Sequence, residues 1–142
     1  MVTAYLQFKD TARAIDWYQT VLGAKETRKR LVTPEGTCMN AEVEIGGSRL
    51  MLADEMPSIG SKSPLNLGGT SVVLNLHVND VDQVFQLAIR SGAEQIFEVA
   101  DQFYGDRAGR ICDPFGHHWI IATRVRNVPE DEMAEAFRTM FR

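Results

Sequence analysis

The side chains best suited to hold a small molecule lie where apolar and polar residues alternate along the sequence. Successive side chains of a β-strand point to opposite faces, so alternate positions share a face. Tyrosine offers a flat ring and a hydroxyl, asparagine both a donor and an acceptor, and methionine an adaptable apolar surface. The predicted ligand-binding residues are Tyr5, Gln7, Glu42, Met51, Asn75, His77, Tyr104, Arg107, His118 and Ile120. The alternative is a half-buried sheet face that only covers another part of the chain.

Tyr104 and Arg107 lie close together at the point where a loop meets a predicted hairpin. An aromatic ring beside a guanidinium predicts a clamp for an anionic or aromatic ligand. A structured turn held by Asp106 and Arg107 is the alternative. The sequence has no nucleophile elbow around a serine and no glycine-rich phosphate loop, so those two chemistries are not predicted.

Two halves of the chain carry these residues in the same order of patterns. Residues 2–8 and 71–78 alternate as strands do. Each is followed by a segment with helical spacing that ends at a glycine, Gly23 in the first half and Gly92 in the second. The chain therefore contains an internal repeat.

A hairpin closes each half of this repeat. A two-residue Gly-Gly loop at residues 46–47 would place Glu42 directly opposite Met51, on the same face. A further strand is predicted near residues 26–31 in the first half and near 95–99 in the second. The pattern of each half therefore predicts the element order strand, helix, strand, strand, strand.

The repeat predicts an α+β fold in which two βαβββ modules form curved mixed sheets around a cleft. The modules are predicted at residues 1–56 and 70–126, with a linker at 57–69 and a C-terminal helix at 127–142, together one structural domain. The strand faces turned toward the helices are apolar and predict the core, which comprises Ala4, Leu6, Phe8, Leu50, Leu52, Leu74, Leu76, Val78, Trp119 and Ile121.

Composition narrows the class of protein. The chain has 142 residues, which is about one domain, with 44% apolar and 24% charged residues. A net charge of −4 argues against broad binding to nucleic acid. No apolar run is long enough to span a membrane, and the N-terminus does not read as a signal peptide. Cys38 and Cys112 are predicted to be reduced thiols, which fits a cytoplasmic protein.

Several motifs spread over both halves resemble those of one protein family. They are AIDWY at 14–18, LGA at 22–24, GSRLMLAD at 47–54, VNDVD at 78–82, DQFYGDR at 101–107 and DPFGHHW at 113–119. On these motifs the chain resembles the vicinal oxygen chelate superfamily, which includes glyoxalase I, bleomycin-resistance proteins and extradiol dioxygenases. It is most similar to the PhnB-like branch, over about residues 2–126.

The resemblance implies where a metal would bind. Metalloenzymes of this superfamily take a histidine or a carboxylate from the first and last strand of each module. In this chain those positions fall on Thr3, Met51, Val73 and Ile120. None supplies a ligand of the required type, so no metal and no cofactor is predicted. A displaced site built from His77, His118 and Glu42 is the alternative, and partly solvated histidines at strand ends are the simpler interpretation.

The function that follows is binding rather than catalysis. We expect a small organic molecule, aromatic or cationic, to be held in the cleft, as in sequestration of an antibiotic or a metabolite. The alternative is a metal-dependent lyase, isomerase or dioxygenase of the same superfamily with a displaced metal.

A homodimer is also predicted, because the superfamily commonly pairs modules across chains. The C-terminal helix supports this prediction with an apolar stripe of Met133, Phe137, Met140 and Phe141, which needs a covering surface. The stripe could instead fold back onto its own chain. No nucleic-acid or membrane partner is expected.

Overall fold

The computed structural model describes residues 1–141. The first half contains β1 (Tyr5–Phe8), α1 (Thr11–Leu22), β2 (Lys25–Glu26), β3 (Leu31–Val32), β4 (Cys38–Ile45) and β5 (Ser48–Asp54). A 3₁₀ turn (Pro57–Ile59) and the short helix α2 (Pro64–Leu67) form the connection. The second half contains β6 (Val73–His77), α3 (Val81–Arg90), β7 (Glu94–Asp101), β8 (Asp106–Cys112) and β9 (His118–Arg124), and α4 (Glu130–Met140) follows.

The two halves build two sheets with the same topology. The first has the order β1-β5-β4-β2, with β3 also pairing with β4, and the second has the order β6-β9-β8-β7. In each sheet the first and last strands of the half are parallel, and the other pairs are antiparallel. The predicted α+β fold of two βαβββ units with mixed sheets and a C-terminal helix is confirmed.

Both module helices begin where the pattern indicated and α1 ends at the predicted Gly23, whereas α3 ends at Arg90, two residues before the predicted Gly92. The side chain of Asp10 caps α1 by accepting from the Arg13 backbone N–H, and Asp80 caps α3 in the same way through Gln83. Gly23 ends α1 in the left-handed region, with φ of +69°, where a glycine has no side-chain penalty.

The first half differs from the prediction near residues 26–31. It has two short strands, β2 and β3, instead of one continuous strand. The reason lies in β3, whose register against β4 shifts between Leu31 and Val32. Both side chains are more than half exposed, so no buried row extends the strand. In the second half β7 is longer than predicted.

The helix-covered faces of the two sheets share one core. Of the predicted core residues, seven are buried and the other three, Ala4, Leu74 and Val78, are partly buried against them. Phe8 and Tyr18 of the first half pack edge-to-face on Phe115 of the second, at centroid distances of 5.8 and 6.0 Å. The modules are thus joined on the side of their helices.

Asp113 is the polar centre of this junction. Its Oδ2 accepts from the Tyr18 hydroxyl at 2.6 Å and from the Trp119 Nε1–H at 2.9 Å. Its Oδ1 accepts from the backbone N–H groups of Phe115 and His117. Burial, together with the Asp113 charge, raises the pKa of Tyr18 well above its usual value. The tyrosine therefore remains a proton donor to the carboxylate.

His117 links the same turn to β1. Its ring Nε2–H donates to the Gln7 carbonyl at 3.0 Å, and the ring lies 4.9 Å from that of Phe8. Burial lowers the pKa of His117 below its usual value of 6.5. The imidazole is therefore neutral at neutral pH, as an aromatic junction requires.

The helix α4 lies outside both sheets, and none of its residues is buried. Its Phe137 contacts Phe103, with ring centroids 6.0 Å apart, and also contacts Phe141. Phe137, Met140 and Phe141 each remain at least half exposed. Within residues 1–141, no helix combines the length and apolar character that crossing a membrane requires.

Candidate ligand-binding site

The first module presents an open row of side chains opposite its helix. Tyr5, Met51 and Glu42 are register partners across β1, β5 and β4, so they share one face, as the Gly-Gly loop predicted for the last two. The Tyr5 hydroxyl donates to the Met39 carbonyl at 3.1 Å and accepts from the Asn40 side-chain amide at 2.8 Å. Tyr5 is 42% exposed, so its ring faces solvent in the monomer.

Glu42 and Gln7 are engaged with the protein itself. The Thr27 hydroxyl donates to the Glu42 carboxylate at 2.7 Å, and the Arg49 guanidinium lies 3.9 Å from the same oxygen. Gln7 contributes its backbone carbonyl to the His117 contact at the module junction. Glu42 therefore stabilises the first module, and Gln7 stabilises the junction between the two modules.

A groove of about 440 Å³ lies between the two modules. Asn75 and His77 of β6 line it from the second module, and Arg49 and Leu50 line it from the first. The His77 Nε2 lies 3.0 Å from the Asp106 Oδ2, while the Arg124 Nε donates to the other oxygen at 2.6 Å. The buried Asp106 carboxylate therefore orients an exposed imidazole toward the groove.

A second cavity, of about 350 Å³, lies on the open face of the second module. Its floor is part of one row across the sheet, because Ile120 of β9 pairs with Arg110 of β8, which pairs with Phe97 of β7. The remaining lining residues are Gln102, Tyr104, Ala108 and Gly109. Ala108 and Gly109 of β8 are small and leave space for the cavity, and the larger side chains of the lining surround that space.

Tyr104, Arg110 and Gln102 are the polar lining residues of this cavity. Burial, with a smaller contribution from the Asp106 charge, raises the pKa of Tyr104, so its hydroxyl remains a donor at neutral pH. The Arg110 Nε and Nη2 lie 3.2 and 3.1 Å from the His118 Nδ1. That nitrogen accepts from the guanidinium, and His118 thus positions Arg110 from the edge of the cavity.

Arg107 lies on the opposite face of β8 from this cavity. Its Nε and Nη2 each donate to the Asp82 carboxylate at 2.9 Å, and its Nη1 donates to Asp101 at 3.3 Å. The pKa of Asp82 is lowered by this contact and that of Arg107 is raised. The structure therefore brings Tyr104 and Ile120 together at the cavity and holds Arg107 against α3, paired with neither Tyr104 nor Asp106.

Five lining residues were not among the predicted set: Phe97, Gln102, Ala108, Gly109 and Arg110. A signal for Arg110 was present in the sequence. The turn at residues 113–117 pairs Cys112 with His118. Moving two residues away from the turn on each strand pairs Arg110 with Ile120. No comparable count finds Phe97, because β7 shifts register on both sides of it.

The metal that the family implies can be tested against the donors present. The four family positions carry a hydroxyl, a thioether and two aliphatic side chains at Thr3, Met51, Val73 and Ile120, which do not fit a divalent metal. Among residues 1–141, no three side chains of His, Cys, Asp or Glu come together as a metal site requires. Of the predicted displaced ligands, His77, His118 and Glu42 contact Asp106, Arg110 and Thr27 respectively.

The chain is an α+β protein built from two βαβββ modules. In each module the first and last strands are parallel, and one face of the sheet lies open opposite the helix. A sequence model of the Glyoxalase/Bleomycin resistance protein/Dioxygenase superfamily matches residues 2–121. The chain belongs to this superfamily.

Relatives and solved structures are consistent with this membership. The uncharacterized protein Rv0887c of Mycobacterium tuberculosis is 41% identical over 138 residues, which cover 95% of this chain and 81% of the relative. TioX from Micromonospora sp. ML1 has a TM-score of 0.65 and 25% identity, over 91% of this chain and 99% of TioX. A PhnB protein from Bacillus cereus also has a TM-score of 0.65, at 17% identity, over 86% and 98% of the two chains.

Proposed function

We propose that this chain is a binding protein that sequesters a small organic molecule, an antibiotic or a metabolite, in the cavity of the second module. The observation that carries the proposal is the cavity of about 350 Å³ on the open face of that sheet. Its volume lies in the range of small-molecule sites, which are mostly apolar with a few placed polar groups.

The lining explains how such a molecule would be held. Ile120 supplies an aliphatic floor, and the rings of Phe97 and Tyr104 supply flat surfaces for stacking. Phe97 is 63% exposed, which leaves apolar area for a ligand to cover. Ala108 and Gly109 keep the centre of the site open. Shape and stacking are thus the main sources of affinity.

The donor set favours binding over the metal-dependent alternatives. A lyase, isomerase or dioxygenase of this superfamily needs His or carboxylate ligands at the four family positions. This chain has Thr3, Met51, Val73 and Ile120 there, and Ile120 lines the proposed binding cavity instead. Ile120, at one of these four positions, thus supplies apolar surface for a ligand.

Fluorescence titration with N-phenyl-1-naphthylamine, a neutral arylamine, tests the proposal. We expect saturable binding by the full chain and a loss of about tenfold or more in affinity for Ile120→Trp, because the larger ring fills the cavity. Ile89→Trp is the matched control, since Ile89 is an exposed aliphatic residue on α3 and lies outside the cavity lining. No saturable binding by the parent chain, or equal loss in both variants, would contradict the proposal.

We also propose that two copies associate through the stripe of α4 formed by Met133, Phe137, Met140 and Phe141. The support is that three of these side chains are half or more exposed, an apolar area that a second copy would cover. The two cysteines are not disulfide-bonded, which fits the cytoplasmic setting proposed for this dimer.

Sedimentation velocity tests the dimer. We expect the mass of a dimer for the full chain and that of a monomer for Phe137→Ser, because the substitution removes an exposed aromatic from the stripe. Ala134→Ser, an exposed position of α4 outside the stripe, is expected to remain dimeric. A parent chain that sediments as a monomer at all concentrations would disprove the proposal.

A further inference from the structure

From the charge of the cavity lining we infer that the ligand of the second module is an anion, a carboxylate or sulfonate carried on a flat aromatic body. The inference rests on the proposed function and names the chemical class that the same cavity selects. It differs from the cationic option stated above, because the charge at the cavity is positive although the net charge of the chain is −4.

Arg110 supplies that charge. Among the seven residues that line the cavity, Arg110 is the charged one, and none is an acid. Within residues 1–141, no carboxylate forms an ion pair with its guanidinium. A cationic ligand would meet this charge without compensation, whereas an anion would neutralise it.

Two neighbouring arginines of the same sheet differ from Arg110, because each is paired with a carboxylate. Arg107 on β8 is held by Asp82, and Arg124 on β9 is held by Asp106. Asp106, the acid on the open face of β8, is buried and already contacts both Arg124 and His77. It is therefore not available to neutralise Arg110.

His118 orients Arg110 without neutralising it. Its Nδ1 accepts from the Arg110 Nε and Nη2, so two atoms of the guanidinium contact an uncharged acceptor. An arginine carries five N–H donors, and the remaining ones are available to a ligand. The guanidinium is thus held in place before a ligand arrives, which reduces the entropy lost on binding.

The aromatic part of the ligand follows from the walls. Phe97 is the register partner of Arg110, so its ring lies next to the guanidinium in the same row. Tyr104 lines the same space, and its hydroxyl stays protonated and able to donate. An anionic group at Arg110 therefore has ring surfaces beside it, where an attached aromatic system can stack.

Two fluorescent probes that differ by one sulfonate test the inference. They are 1-anilinonaphthalene-8-sulfonate, an aromatic anion, and the neutral N-phenyl-1-naphthylamine. We expect the parent chain to bind the anion more tightly. Arg110→Gln is expected to weaken binding of the anion by about tenfold or more and to leave that of the neutral probe unchanged, because a hydrogen bond to a charged group is lost. Arg110→Lys, which keeps the charge, should retain part of the preference.

Arg90→Gln is the matched control, since Arg90 is an exposed cation in the last turn of α3 and does not line this cavity. It is expected to change neither titration. Equal affinity for the two probes, or an equal loss of both in Arg110→Gln, would overturn the inference while leaving the proposed function standing. Failure of both probes to bind the parent chain would overturn the proposed function as well.

Discussion

Replacing Asp113 by alanine is expected to lower the free energy of unfolding by about 2–6 kcal/mol. The carboxylate is buried and accepts hydrogen bonds from two side chains and two backbone N–H groups. Its removal leaves the Tyr18 hydroxyl and the Trp119 indole N–H buried without an acceptor, and each unsatisfied donor costs about 1–3 kcal/mol. The loss is large against the usual stability of a domain, about 5–15 kcal/mol.

Two further variants separate the contributions at Asp113. In Asp113→Asn the Oδ1 acceptor for the turn is kept, but an NH₂ group faces the Trp119 N–H, so an intermediate loss is expected. Asp101→Ala removes a carboxylate that is 74% exposed and should cost about 1 kcal/mol or less. Urea unfolding followed by circular dichroism measures all three. An Asp113→Ala variant as stable as Asp101→Ala would contradict the role given to the junction.

Gly105→Ala is expected to lower the free energy of unfolding by about 2–5 kcal/mol, the sum of two effects. Gly105 has φ of +100°, a conformation that L side chains rarely adopt. A Cβ at this position would also overlap the Arg126 carbonyl oxygen and crowd Val128. The Gly105 carbonyl accepts from the Val125 and Arg126 backbone N–H groups, so the overlap cannot be relieved without breaking these bonds.

Gly36→Ala isolates the steric part of this effect. Gly36 has a similar φ of +94°, but a Cβ there would meet no atom within 4 Å. The control is therefore expected to lose only the conformational component, about 1–2 kcal/mol. Thermal and urea unfolding of the two variants give the comparison. Equal losses would show that the contact between Gly105 and residue 126 contributes nothing.

The fold was predictable because two independent regularities agreed. Alternation indicated the faces of the strands, and the repeated glycines indicated the end of α1, the end of α3 to within two residues, and the hairpin loops. The Gly-Gly loop fixed the register of β4 and β5, and the structure has Glu42 opposite Met51 as that register requires. At Leu31 and Val32 only alternation was available, and the prediction of one continuous strand was wrong because the register of β3 against β4 shifts there.

The candidate site was less predictable, for a physical reason. Arg107 and Arg110 stand three places apart on one strand, so they face opposite sides of the sheet. The sequence prediction placed the stretch around Arg107 in a loop, where alternation does not apply. Phe97 reaches the cavity through irregularities of β7, which depend on packing against α3 and β8 and leave no periodic trace.

The way the modules are joined has a consequence for how the chain folds. The Tyr18–Asp113 bond closes a separation of 95 residues, and the His117–Gln7 bond closes one of 110. The entropy of closing such loops grows only with the logarithm of their length, so both contacts remain favourable at equilibrium. Their effect falls on the rate, because a high contact order slows folding. The shared core thus stabilises both halves together, and we expect docking of the two halves to be the slow step of folding.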